Sequence, residues 1–150
     1  MANWNEITAA ISLALDGDPG RGRHQLMDCW ADTTAADHAH RCVLAHYLAD
    51  LQTELDREIA WDRIALEEHA LVDDGDLAAV GIASARAMAP SLHLNLGDGH
   101  LRRGDVQQAR DHLRQGLFTS TTLETDGYGA MIRSGLQSLA QRIEAISKEA

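Results

Sequence analysis

The dipeptide Gly-Asp recurs at Gly17-Asp18, Gly75-Asp76 and Gly104-Asp105, each time between two segments whose apolar residues repeat with helical spacing. Glycine reaches the left-handed conformation that closes a helix, and the aspartate after it can accept hydrogen bonds from the free N–H groups that open the next one. A chain punctuated in this way folds as helices joined by tight turns. Pro19 occupies the first helical position after Asp18, and Gln108 stands three residues after Asp105, the spacing of a capping box. With the polar stretches "ADTTAADH" and "TSTTLETDG" as further breaks, helices are expected near 4–15, 19–31, 35–52, 56–72, 77–87, 90–103, 106–118 and 127–147, and Pro90 must break or kink whatever helix precedes it. No segment reads as a strand or an interdomain linker. Short connections make successive helices antiparallel neighbours, so the expectation is one all-α domain over residues 1–150.

Composition agrees with helical packing. Apolar residues are 45% of the 150, but aromatics are only 4%, and alanine and leucine supply most of the apolar mass. A formal charge of −10 repels a phosphate backbone and an anionic membrane surface, and the densest basic group, Arg102, Arg103, Arg110 and Arg114, is diluted by Asp98, Asp105 and Asp111. Nucleic acid and membrane are therefore not expected partners. The N-terminal "MANWNEITAAISLALDGD" has no basic region before its short apolar face, so it does not read as a signal peptide. Cys29 and Cys42 lie in apolar helical patterns without paired spacing, which fits buried thiols in a reducing compartment and a cytoplasmic location.

The stretch "LHLNLGDGHLRRGDVQQARDHLRQGL" carries a more specific pattern. Leu96-Gly97, then Ala109 and Leu113, resemble the tetratricopeptide repeat, in which small residues let the two helices of a hairpin approach closely. His93 and His100 stand at the two aromatic positions, Leu113 at the phenylalanine and Thr121 at the proline. A weaker match has Ala10, Gly17-Asp18, Gly22, Leu26 and Cys29, and a third, in the middle stretch, needs a longer turn around Thr53 to Leu55. The resemblance implies about three degenerate repeats and a closing helix, seven to eight helices in all, wound as a right-handed superhelix of antiparallel hairpins. That closing helix has Ile132, Leu136, Leu139, Ile143 and Ile146 on one stripe. The stripe fits a solubilising cap on a monomer, and its spacing also fits a homodimer seam.

What the resemblance implies about function is a non-enzymatic scaffold that holds a protein or peptide on its concave face, with no cofactor. In the family's register that face carries His38, Cys42, His46 and Asp50 from the middle hairpin, beside Asn95, Asp98 and Arg102 from the third. Members that clamp a terminal carboxylate use lysine, arginine and asparagine at such positions. Here only Asn95 and Arg102 fit, so the groove is expected to prefer neutral or basic segments, and to release a cation when His46 gains a proton near pH 6. The rival reading comes from the residues themselves. His38, Cys42 and His46 recur every four positions on one helical face, spacing that suits metal ligands, so a metal-binding or small-ligand sensor is the alternative. Motifs of the common hydrolases and nucleotide-binding enzymes (HExxH, GxSxG, the Walker loop, CxxC) are missing, and no enzymatic activity is expected.

Overall fold

The computed structural model describes residues 3 to 149, and these form seven α-helices with no strand among them. They are α1 (Trp4–Leu15), α2 (Pro19–Ala31), α3 (His38–Asp50), α4 (Leu55–His69), α5 (Ala89–Arg103), α6 (Val106–Thr119) and α7 (Gly127–Glu149). In two of the three Gly-Asp turns the glycine takes the conformation its chemistry suggests. Gly17 and Gly104 take φ of +116° and +93°, the left-handed region that a side chain disfavours. Asp18 then caps α2, its carboxylate accepting from the Arg21 backbone N–H at 3.1 Å, with Pro19 in the first turn. A cap not foreseen is Asn3, whose side-chain oxygen accepts from the Glu6 N–H at 2.9 Å and opens α1.

The third Gly-Asp departs from expectation. Gly75 is not left-handed, and Gly81 takes that role at φ +82°. Asp76 accepts from the Asp73 N–H at 3.1 Å, so it closes its own turn and caps no helix. The helix expected at 77–87 is replaced by two short 3₁₀ turns, Ala78–Val80 and Ala85–Met88. Only Leu77 and Ala85 between 77 and 87 are buried, which is too little apolar surface to hold an isolated helix of this length. The segment is tied across instead, with the Ala85 N–H donating to the Asp74 carbonyl at 2.9 Å and the Ser84 hydroxyl to the Asp74 carboxylate. Helix α3 starts three residues later than expected because Asp37 turns back to accept from the Thr34 N–H at 2.7 Å. The capping box at Asp105 does not form either. Its carboxylate takes the Arg103 guanidinium at 2.8 Å and leaves the helix N–H groups alone.

The chain divides into two compact units, one running to Ala85 and the other starting at Arg86. In the first, α1 pairs with α2 and α3 with α4, and α3 also lies against α2 and, less extensively, α1. Gly22 makes the α1–α2 pairing close. A Cβ placed there would sit 2.5 Å from the Ala14 Cα and 2.6 Å from its backbone nitrogen. The core is Ile7, Ala10, Leu26, Leu44, Leu48, Ile59, Ala65 and Leu77, and each fully buried leucine or isoleucine contributes about 1.5 to 3 kcal/mol of transfer free energy. Half-buried aromatic rings flank it. Trp30 meets Trp61 edge to face at 5.0 Å, and the Arg41 guanidinium lies 4.9 Å over Trp30 while donating to the Thr33 hydroxyl.

In the second unit α5 and α6 form a hairpin about Gly104, and α7 covers it. Two glycines set its closeness. A Cβ at Gly97 would be 2.6 Å from a Leu139 methyl and 3.5 Å from the Ala109 carbonyl, and one at Gly116 would be 2.7 Å from a Leu136 methyl and 3.4 Å from the His93 Cβ. Ile132, Leu136, Leu139 and Ile143 of α7 are buried, with Leu101 and Ala109 in one cluster and Leu123 in the other. Four of the five stripe residues are thus used inside the chain, and Ile146, at 38% exposure, is the open end. Arg110 of α6 donates to Ser147 of α7 beyond that stripe.

Candidate functional site

The seven residues expected on a shared groove fall in both units, four in the first and three in the second. In the first, His38 and Cys42 of α3 lie toward Glu68 of α4, the hairpin partner. His38 Nδ1 lies 2.7 Å from the Glu68 carboxylate. Cys42 is fully buried, and burial, with Glu68 second, pushes its thiol up to about 12. That thiol stays protonated at neutral pH, which makes it neither a nucleophile nor a ready metal ligand. His46 has its Nδ1 sealed from solvent with no hydrogen-bond partner among the described residues. Burial lowers its pKa below the ordinary histidine value, with Asp50 pulling the other way. Asp50 stands at the exposed end of α3, and its carboxyl is raised by desolvation, lowered by His46 and raised again by Glu58 of α4.

Of the three, Cys42 is fully buried, while His38 and His46 are half-buried. Helix α3 is buried on most sides, with Val43, Leu44, Ala45, Leu48 and Ala49 also in the core, and His38 reaches Glu68 of α4. Burial of His46 makes it harder to protonate than an ordinary histidine. Against α1, His40 of α3 lies edge to face with Trp4 at 4.5 Å.

In the second unit Asn95 and Asp98 are half-buried and Arg102 is exposed, all on α5. Asp98 accepts from Arg102 at 2.9 Å with one oxygen and from Arg142 of α7 at 2.8 Å with the other. Two guanidiniums therefore answer its single charge, and the acid excess read from the sequence is absent on this face. Among the described residues, no three of His, Cys, Asp and Glu converge on a point that could hold a metal ion. Cys29 and Cys42 are both buried thiols that form no disulfide.

A group that sequence reasoning missed lies between α5 and α6. His93 Nδ1 is 3.1 Å from His112 Nδ1, and the His100 ring stacks on His112 with centroids 5.5 Å apart and planes 4° from parallel. His93 and His100 are buried, and His112 is half-buried. His100 Nδ1 is 3.7 Å from Asp105, whose carboxyl the Arg103 hydrogen bond holds below the usual range. The signal was available. Folding the sequence about Gly104 sets position 112 opposite about position 96, midway between 93 and 100. Beside His93 opens a surface cleft of about 280 Å³, lined also by Arg114, Gln115, Phe118 and Thr119, with Phe118 82% exposed.

Compared with known protein families, curated proteins and solved structures, the chain matches none. Among the described residues no helix is long and apolar enough to cross a membrane.

Proposed function

We infer that the chain is a non-enzymatic binding module of tetratricopeptide-like helical hairpins, which holds a protein or peptide segment on the faces of the first helix of each hairpin. The observation that carries this reading is the neighbour order in the first unit, where α3 lies on both helices of the preceding hairpin, as stacked repeats do. Close contacts at small residues in two hairpins, Gly22 on Ala14 and Gly97 by Ala109, agree with it. So does the state of the titratable groups. His38 is spent on Glu68, Asp98 on two arginines and Cys42 is locked as a thiol, so these side chains serve the fold and the surface is left to function.

Trp4 and His40 represent that face in the first unit, and Asn95 represents it in the second, where its amide can bond a peptide backbone through both ends. Two guanidiniums against the one charge of Asp98 remove the expected bias toward basic segments, so a neutral or acidic segment is the better fit. Two buried thiols suit a reducing compartment. To test the reading, a partner is captured from native extract, identified by mass spectrometry, and titrated against wild type and Asn95→Ala. A binding loss of roughly tenfold, as truncating a central contact gives, supports it. A partner whose affinity ignores Trp4, His40 and Asn95 overturns it.

A further inference from the structure

After α4 the chain makes a strap, residues 70–85, that is fastened largely to itself. The Val80 and Ile82 N–H groups donate to the Leu77 carbonyl, both at 3.1 Å, and the Gly81 N–H donates to the Ala78 carbonyl at 3.0 Å, with Gly81 left-handed at φ +82°. The Ala85 N–H reaches back to the Asp74 carbonyl, and His69 Nε2 donates to the Ala85 carbonyl at 2.7 Å, which closes the mouth of the loop. A loop with joined ends and its own internal bonds keeps its shape when it swings.

Its hold on the helices is narrow. Asp73, Asp74, Gly75, Asp76, Ala78 and Ala79 are exposed, and Leu77 in their midst is fully buried. The turn that follows this leucine, Ala78–Val80, lies against α1. One short turn therefore seats one leucine beside the first helix of the first hairpin. Burying a single leucine keeps such a strap closed by roughly tenfold to a hundredfold, so the open form is a minor but populated state.

We propose that residues 70–85 are an internal ligand, with Leu77 in the seat beside α1 that a partner's leucine takes when it displaces the strap. The partner segment presents that leucine on a single helical turn, the form the strap itself has. This rests on the reading of α1 as a ligand-binding helix.

The probe is a synthetic peptide of residues 71–84, titrated into the isotope-labelled full chain while α1 amides are followed by NMR. With the tethered strap at an effective concentration of about 1 mM, the peptide binds Leu77→Ala at roughly 10 to 100 μM and wild type, whose seat is filled, only at about 1 mM. A peptide that itself carries Leu77→Ala leaves the α1 amides unshifted. Gly81→Ala strains the left-handed turn at a position with nothing within 4 Å, so it loosens the strap without touching the core and gains roughly fivefold or more over wild type. Should Leu77→Ala fail to fold, Gly81→Ala decides. Equal affinity for wild type and the variants, binding to none of them, or shifts confined to residues outside α1 overturns the internal ligand. The partner titration rests on Trp4, His40 and Asn95, none of them in the strap, so a binding module without an internal ligand shows its loss there and no gain here.

Discussion

Gly22→Ala is the sharpest perturbation of the first hairpin. The added methyl would stand 2.5 and 2.6 Å from backbone atoms of Ala14, where ordinary carbon contacts begin at about 3.4 Å. Backbone cannot rotate aside as a side chain would, so α1 and α2 must part by about 1 Å along a seam that includes Ile7, Ala10 and Leu26. Overpacking of this kind costs about 1 to 3 kcal/mol, against a helix-propensity gain of up to about 1 kcal/mol for replacing glycine. The net expectation is destabilisation by about 1 to 2 kcal/mol. Gly20→Ala, in the same helix, meets nothing within 4 Å, so only the propensity gain applies and the sign reverses. All three tryptophans, Trp4, Trp30 and Trp61, lie in the first unit, so their fluorescence during urea unfolding reports that unit alone. A Gly22→Ala protein as stable as wild type, or the same sign for both variants, would refute the close contact of α1 with α2.

In the second unit, Ala109→Leu adds three carbons to a fully buried site beside Gly97, and chemical denaturation followed by circular dichroism is expected to show a loss of about 1 to 3 kcal/mol. Truncation before Gly127 uncovers the surface that Leu136, Leu139 and Ile143 occupy, so the shortened chain should aggregate in light scattering. Leu139→Asp should lower stability with no change from a dimer mass to a monomer mass. His46 has a folded-state pKa below its unfolded value, so the unfolded chain binds the extra proton and stability falls as pH drops below about 6.5. His46→Phe should flatten that slope in tryptophan-monitored unfolding, and an unchanged slope would assign it to other groups. Cys42, fully buried and raised to about 12, should resist a thiol reagent at neutral pH until denaturant is added, and rapid labelling of the folded chain would contradict that placement.

Helices were legible in this chain because their ends are written in short-range chemistry. Asp18 with Pro19, Gly17 and Gly104 act on their immediate neighbours, and the expected bounds of α1, α2 and α6 match to within a residue. Where the outcome depended on partners distant in sequence, reading failed. Gly75-Asp76 has the same two letters, but the chain around it is tied to Ala85 and Ser84, and no apolar face follows to sustain a helix. Asp105 prefers a guanidinium two residues back to a helix N–H. The periodicity of His38, Cys42 and His46 puts them on one face of a helix, yet periodicity does not say what a side chain meets, and the partner of His38, Glu68, lies thirty residues on. The same limit hid His112, whose meaning arises only when the hairpin closes on His93.

Affinity for a captured partner, measured by calorimetry on first-helix and second-helix variants in parallel, tests the binding reading most directly. Asn95→Ala on α5 and Trp4→Ala on α1 should each weaken binding by about tenfold or more, while Gln108→Ala on the exposed side of α6 should leave it within about twofold. The opposite pattern, with Gln108→Ala weakening binding and both first-helix variants unchanged, would contradict a ligand held by the first helices.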